Sequence, residues 1–325
     1  MEFRKIDNHG LIRMVFLGCG LATRMHAKTL SKFDNIHLYF ASSSLEKAQA
    51  YNKKYYGKGA FGSYDEVIEN DSIDVVFVAT PPINHLELTL KAVRSGKHVI
   101  VEKPPFLKSD DFDLIEEAQG QTGSQVLVAE NYYYKPIVSK LRKLLNSGII
   151  GQPLFLFVNA TKTQITEGWR DDAKLAGGGA LFEGGIHWVN FMANLGMEVE
   201  EIKGYQPMSQ QDIERSYQLT FKYKNGPVGT LLYSWEVNTS LKGLRISRIY
   251  GTEGSITFES NGIFIFVRGQ KIKFIWPGLA DIAGYKAMFR DFFRALRKGE
   301  MSEFNLEMAR KDIELIETAY DKPLI

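Results

Sequence analysis

Apolar residues come in short bursts along the first 130 positions. Each burst gives way to a stretch in which polar and apolar residues mix at helical spacing. The bursts are residues 12–18 (IRMVFLG), 36–40 (IHLYF), 73–79 (IDVVFVA), 98–104 (HVIVEKP) and 125–131 (QVLVAEN). Helical stretches are expected at 18–30, where Leu21, Met25 and Leu30 fit a face only loosely, and at 45–55, 85–96 and 109–123. Gly96 stands where a helix C-terminal stop is expected, and Ser109 with the acids after it suits a helix N-terminus. Short apolar strands alternating with amphipathic helices predict a parallel, doubly wound α/β sheet covered on both faces.

The pattern changes from residue 153. PLFLFVNATKTQ reads as a strand, and residues 215–237 read as a hairpin. Tyr217, Leu219, Phe221 and Tyr223 alternate there, and Asn225-Gly226 turns the chain. Further strands are expected at 244–251, 255–260 and 262–276, then a helical segment over 281–320 with Phe289, Phe292, Phe293 and Leu296 on one stripe. The pattern predicts a dinucleotide-binding domain over 1–130. An α+β domain with a predominantly antiparallel open sheet follows over 131–325, and its C-terminal helix could return to the first domain. Such a sheet needs a cover on one face, expected from a partner subunit or the cofactor cleft.

Composition narrows the function little. The 325 residues carry a net charge of +2, with no electrostatic footprint for nucleic acid. The cluster Arg290, Arg294, Arg297 and Lys298 reads as a solvated helix face. Cys19 is the single cysteine, which suits a reducing cytoplasm. The first ten residues are polar with no signal-peptide core, and no apolar run approaches the roughly 20 residues of a membrane span. The six histidines show no metal-ligand pair, and there is no GxSxG nucleophile turn; no metal is expected.

Candidate chemistry begins at the first strand–helix turn, Gly18-Cys19-Gly20-Leu21-Ala22-Thr23. Two glycines permit a tight turn and close approach to a pyrophosphate, and the helix N-terminus offers unpaired N–H groups. Thr23 replaces the fingerprint's third glycine, so helix and strand are expected slightly farther apart. Cys19 reads as a small filler of the turn, with a reactive thiol as the alternative. An NAD-binding chain carries an acid about 20 residues past the glycines. Here Ser42, Ser43 and Ser44 stand there, with no acid before Glu46. Serine hydroxyls with Lys47 or Arg24 would suit a 2′-phosphate, which points to NADP(H) over NAD(H); alternatively the serines cap the next helix.

Two further stretches draw attention. HVIVEKPP delivers Glu102 and Lys103 to a strand end and follows them with Pro104 and Pro105. WRDDAKLAGGGALFEGGIHWVN carries Glu183 and His187 four residues apart, on one face if the segment from Ala180 is helical. Gly184 and Gly185 cost a helix about 1 kcal/mol each against alanine, a cost easier to understand if something large lies against it. His187 suits acid–base work near neutrality. A buried interface histidine, an ion-paired surface lysine and a structural role for Glu102 are the bland readings.

Taken together, TPPINHLELTLKAVRSGKHVIVEKP, the earlier GCGLATRMHA and the later WRDDAKLAGGGALFEGGIH resemble the glucose–fructose oxidoreductase and inositol dehydrogenase (Gfo/Idh/MocA) family over nearly the full chain. The resemblance implies an NAD(P)-dependent oxidoreductase that exchanges hydride with a hydroxyl or keto carbon of a sugar or sugar derivative. It assigns Lys103 to the reacting oxygen and His187 to the hydroxyl proton. Glu183 joins them as a catalytic residue where many members carry Asp, and Asn190 stands where an acid is common. It places Thr80, Pro81, Pro82, His85, Glu102, Lys103 and Asn131 at the cofactor, beside the glycine turn and the serines. Tyr132, Tyr134, Lys162, Trp169 and Arg170 are candidate substrate contacts, the aromatic faces suiting a sugar ring. A homo-oligomer, dimer or tetramer, through the C-terminal sheet is implied, with no nucleic-acid or membrane partner. Two alternatives stand beside this reading: a reductase of a non-sugar carbonyl or bilin-like pigment, and an inactive nucleotide-sensing regulator or scaffold.

Overall fold

The computed structural model of the chain describes residues 3–6, 10–207, 213–238 and 243–320; of the polar N-terminal segment, residues 1–2 and 7–9 lie outside the described residues. The chain divides into two units, residues 1–130 with 285–310 and residues 131–284 with 311–325.

In the first unit six strands form one parallel sheet: β1 (Ile12–Leu17), β2 (Ile36–Ala41), β3 (Gly59–Phe61), β4 (Val75–Val78), β5 (His98–Val101) and β6 (Val126–Val128). Their order is β3-β2-β1-β4-β5-β6. Helices α1 (Leu21–Leu30), α2 (Leu45–Lys54), α3 (Tyr64–Ile68), α4 (His85–Arg94) and α5 (Asp111–Thr122) make the connections. Every residue of β4 and β5 is buried, as a strand covered on both faces requires. Phe16 stacks on Phe40 and Phe77 at 5.7 and 4.7 Å. Arg13, the one charge in β1, is neutralised by a forked pair with Asp74 at 3.0 and 2.7 Å. Gly96 and Gly123 take φ of +74° and +67° past α4 and α5, the left-handed stop in which glycine carries no Cβ penalty. β3 and α3 are too short to show a period, and the apolar pattern did not reveal them.

The second unit contains α6 (Pro136–Asn146), β7 (Pro153–Thr161), the single turn α7 (Ala173–Ala176), α8 (Ile186–Ala193), β8 (Val199–Tyr205), β9 (Ser216–Tyr223), β10 (Val228–Ser234), β11 (Ile246–Gly251), β12 (Gly254–Glu259), β13 (Ile265–Arg268) and β14 (Ile272–Ile275). The strands make one sheet in the order β14-β13-β12-β11-β7-β10-β9-β8. Only the β7–β10 pair is parallel. Tyr217, Leu219, Phe221 and Tyr223 all point inward, as their alternation predicts. Asn225 and Gly226 both take positive φ, 70° and 106°, the backbone a tight hairpin needs.

The segment expected to be one helical run over 281–320 is two helices, α9 (Tyr285–Lys298) and α10 (Leu306–Tyr320). Gly299, at φ +69°, stops α9 and donates its N–H to Ala295 O at 2.8 Å. Phe289, Phe292, Phe293 and Leu296 of α9 are buried.

One face of the second sheet is covered by helices of the same unit. Phe191 of α8 stacks on Phe258 of β12 at 6.0 Å, and Tyr223 donates its hydroxyl to Met192 O at 3.1 Å. The end of α10 lies so close to β8 that a Cβ on Gly204 would fall 2.2 Å from Ala319 O. An amphipathic helix in the same chain buries this apolar face without the entropy loss of association. The opposite face leaves Phe155, Phe157, Tyr250 and Phe266 exposed, Phe155 by 61%.

Candidate active site

The carboxyl end of β1 turns sharply at Gly18, whose φ is +99°. A Cβ there would fall 2.7 Å from Ala79 O at the end of β4, so no other residue fits. Gly20 precedes α1, and a Cβ on it would meet nothing within 4 Å. No side chain caps this helix. Its N-terminus is therefore bare toward open space, the arrangement that receives a phosphate. Leu21 is 48% exposed beside it, and Ala22 is half-buried. Thr23, in place of the third glycine, is buried and donates its hydroxyl to Gly18 O at 2.6 Å; it ties the turn to the helix it starts. The Cys19 thiol is also buried, and burial pushes it up to about 11. It is a filler of the turn and not a nucleophile.

The serines after β2 divide their work. Ser42 is buried, and its Oγ accepts the Ser44 N–H at 3.3 Å. Ser44 caps α2, accepting the Lys47 N–H at 3.3 Å while its hydroxyl donates to Glu46 at 2.8 Å. Ser43 is exposed, as is Lys47. The capping alternative thus describes Ser44, while Ser43 keeps an accessible hydroxyl.

The turns after β4 and β5 are tied together. His85, 1% exposed, places Nε2 2.9 Å from Thr80 O and Nδ1 2.8 Å from Pro104 O. Burial pushes its pKa down, against the upward pull of those carbonyls. The neutral ring carries one N–H, so one of these two nitrogens donates to its carbonyl. Pro81 leads into a 3₁₀ turn over Pro82–Asn84, with Pro82 buried. Oγ1 of Thr80 is buried and has no hydrogen-bond partner among the described residues, a polar atom waiting for a ligand or a water. Glu102 is buried; its Oε1 pairs with His26 Nε2, and its Oε2 accepts the Lys103 N–H at 2.9 Å. Burial pulls this carboxyl upward, but the charge and hydrogen bond of His26, with those of Lys103, outweigh it and hold it at about 2. Lys103 is half-buried at the sheet's carboxyl edge, and the Lys103–Pro104 peptide is cis. With the bare α1 N-terminus and the unpartnered Thr80 hydroxyl, these residues fit a dinucleotide.

In the second unit, residues Leu181–Gly185 form a π-helical turn that runs into α8, where a uniform α-helix was expected. The extra residue in a π-turn alters the offset of Glu183 from His187, and such turns gather at functional sites. The two glycines admit Tyr233 of β10: a Cβ on Gly184 would fall 2.2 Å from its hydroxyl, and one on Gly185 3.2 Å from its ring. The large neighbour that the glycine pair predicts is this tyrosine. Glu183 is buried and accepts from Arg170 Nε at 3.0 Å, and the Arg170 guanidinium lies 4.2 Å over Trp169. His187 stacks on Tyr132 at 4.3 Å, 11° from parallel, with Lys135 Nζ 4.2 Å from the same tyrosine ring. The structure thus groups Trp169, Arg170 and Glu183, and separately groups His187, Tyr132 and Lys135. Asn131 is buried and gives its amide to Ala283 O at 2.6 Å. Tyr134 is 9% exposed and packs edge-on to Tyr133. Lys162 is half-buried on the residue after β7, its N–H bonded to Ser234 O at 2.9 Å. Asn190, where an acid is common, donates to Asp312 at 2.7 Å in the core. Among the described residues, no group of three or more His, Cys, Asp or Glu is placed to hold a metal.

Sequence reasoning missed His26, Glu214 and Tyr320. The last two hold the start of the helix that bears His187. Ala180 N–H bonds to Glu214 O at 2.9 Å, Leu181 N–H to Glu214 Oε1 at 2.9 Å, and Phe182 N–H to the Tyr320 hydroxyl at 3.2 Å. Tyr320 in turn donates to Glu214 Oε1 at 2.7 Å. Gly179 is glycine because Glu214 occupies the space of its Cβ. No spacing in the chain signals this pair.

A parallel sheet in this order, with a bare glycine-lined helix N-terminus where the strand order reverses, defines a dinucleotide-binding fold. Residues 12–130 match the oxidoreductase family with an NAD-binding Rossmann fold, and residues 138–257 match the GFO/IDH/MocA C-terminal domain. The chain belongs to the GFO/IDH/MocA oxidoreductase family. It is 29% identical to Oxidoreductase P35 of Formosa agariphila over 202 residues, 60% of this chain and 62% of that protein. It is 28% identical to glucose-6-phosphate 3-dehydrogenase of Bacillus subtilis over 182 residues, 54% of this chain and 51% of that one. These matches span between half and two thirds of the relatives' length. A solved levoglucosan dehydrogenase, in complex with NADH and levoglucosan, matches with a TM-score of 0.85 at 19% identity, over 96% of this chain and 97% of its own. That likeness is one of fold.

The carboxyl that holds the His187 helix is pH-sensitive. Burial pushes Glu214 up to about 7, and the hydrogen bonds from Tyr320 and Leu181 pull the other way. A carboxyl raised in the folded state contributes stability that is full below its unfolded pKa, about 4.5, and is lost as pH rises through about 7. Wild-type stability relative to Glu214→Gln therefore falls between those pH values and is flat above them. Urea midpoints of both proteins across that range measure it; a constant difference would contradict the assignment.

Proposed function

We propose that the protein is an NAD(P)-dependent oxidoreductase acting on a hydroxyl or keto carbon of a sugar or sugar derivative. The observation that carries this reading is the bare N-terminus of α1 behind Gly18 and Gly20, at the carboxyl edge of a sheet that also presents Lys103. When bound, the nicotinamide supplies the hydride acceptor or donor. The α1 N-terminus and the turn at Thr80–Pro82 hold the dinucleotide. His187 takes the hydroxyl proton in oxidation and returns it in reduction, and the Lys103 ammonium stabilises negative charge on the reacting oxygen. Tyr132 fixes the plane of the His187 ring, and Arg170 fixes the Glu183 carboxylate. Trp169 and Tyr132 offer ring faces to a sugar. The substrate class is supported by relatives whose names denote sugar dehydrogenases. The single buried thiol fits a reducing cytoplasm, and no described helix is long and apolar enough to cross a membrane.

Three tests follow. Lys103→Ala and His187→Ala each lower turnover by at least about a hundredfold, while cofactor affinity, read by nicotinamide fluorescence, changes far less; intact turnover in either variant sinks the proton assignment. NADP(H) is the cofactor favoured over NAD(H), through Ser43 and Lys47. Ser43→Asp places an acid beside the ribose, so the ratio of NADPH to NADH affinity drops; an unmoved ratio removes Ser43 from cofactor choice. Finally, the exposed face of β7, β11 and β13 joins subunits into a dimer or tetramer. Sedimentation velocity reads this directly, and a monomer at micromolar concentration excludes it.

A further inference from the structure

Lys103 sits on a turn that two buried histidines grip from either side. Upstream, the Glu102 carboxylate reaches back to the Lys103 N–H through Oε2 and across to His26 Nε2 through Oε1. His26 cannot drift, because the rings of Phe77, Tyr285 and Phe289 enclose it at 4.8, 5.1 and 5.5 Å. Downstream, His85 meets Pro104 O through Nδ1 and, through Nε2, the carbonyl of Thr80, which leads into the neighbouring turn. Both histidines are 1% exposed. Neither ring faces outward to a ligand.

We infer that His26 and His85 are positioning residues for Lys103, one acting through Glu102 and the other through the Pro104 carbonyl. The inference rests on the reading of Lys103 as the group at the reacting oxygen. Its physical basis is the cost of loose placement. A lysine carries four rotatable bonds and loses their rotamer freedom when fixed. Holding the backbone on both sides of it removes the remaining freedom of the base of that side chain. A displacement near 1 Å at a reacting group costs about a hundredfold in rate. Carbonyl oxygens only accept, so His85 can hold a carbonyl only through an N–H. The neutral ring carries one N–H, which we assign to Nδ1 and the shorter contact, Pro104 O at 2.8 Å; leucine at that position fills the space and releases that carbonyl. Glu102 without His26 is a buried carboxylate whose Oε1 has lost its ring partner, and the carboxylate is freer to turn away from the Lys103 N–H.

The experiment separates positioning from chemistry. The amine of Lys103 is labelled with acetic anhydride in the cofactor-free protein, with exposed Lys140 as internal reference, and read by mass spectrometry. In His85→Leu and His26→Gln the Lys103:Lys140 labelling ratio moves by about threefold or more, and kcat falls by roughly tenfold or more. Adding either substitution to Lys103→Ala lowers kcat no further, because the group being positioned is gone. If His85→Leu does not fold, His85→Gln keeps one donor, and its labelling ratio moves in the same direction by less. Wild-type labelling ratios and turnover in the histidine variants, alongside a large loss in Lys103→Ala, overturn the positioning role and leave the lysine's role standing. Additive losses on the Lys103→Ala background also overturn it. Full turnover in Lys103→Ala, by contrast, defeats the reading on which the inference rests.

Discussion

A methyl group at Gly18 would sit 2.7 Å from the carbonyl oxygen of Ala79, and the first unit is arranged around that contact. β1 and β4 are neighbours at the place where the strand order reverses. Their ends can come this close only if one of them carries no side chain. The approach sets the chain at the angle from which α1 starts, and it leaves the helix N-terminus open. Thr23 then bonds back to Gly18 O, so the turn is held by the helix it begins. The two neighbouring turns follow the same logic, with backbone groups gripped by buried side chains at the carboxyl edge.

Burial makes those grips specific. In water, the Glu102 carboxylate and the His26 ring would exchange partners freely. In the core the loss of either partner is costly, because desolvation without a partner costs on the order of several kcal/mol. The Glu102 carboxyl is held at about 2 through its contacts with His26 and Lys103. Glu214 is the contrast. Burial raises it to about 7, against the pull of the Tyr320 hydroxyl and the Leu181 N–H. Two buried carboxyls are therefore shifted in opposite directions, and the strength of the contacts each makes against its desolvation explains the difference.

The second unit solves a similar problem with small residues. Gly179 makes room for Glu214, and Gly184 with Gly185 makes room for Tyr233. Gly184 and Gly185 are costly in a helix by propensity. The glycines are compensated by the contacts they admit: a carboxylate and a tyrosine hydroxyl satisfy the first N–H groups of the segment, and an aromatic ring packs against its side. The π-turn is the local adjustment that brings this packed segment into α8.

The alternation of apolar bursts with helical stretches determined the parallel sheet, its glycine turn and the carboxyl-edge position of Lys103. The period-2 pattern likewise determined which face of β9 is buried. These features rest on neighbours along the chain, and a local period reports them. The tertiary structure alone decided what each polar group does. His26 lies 76 residues from Glu102, and Tyr320 lies 106 from Glu214. Which of Ser42, Ser43 and Ser44 caps a helix and which faces outward depends on the path of the backbone after β2. That Asn131 and His85 give their side chains to backbone carbonyls depends on which turns lie beside them. Hydrogen-bond partners in a core are chosen by packing across strands and helices. A linear pattern carries the period of each element and not the identity of the element that lies against it.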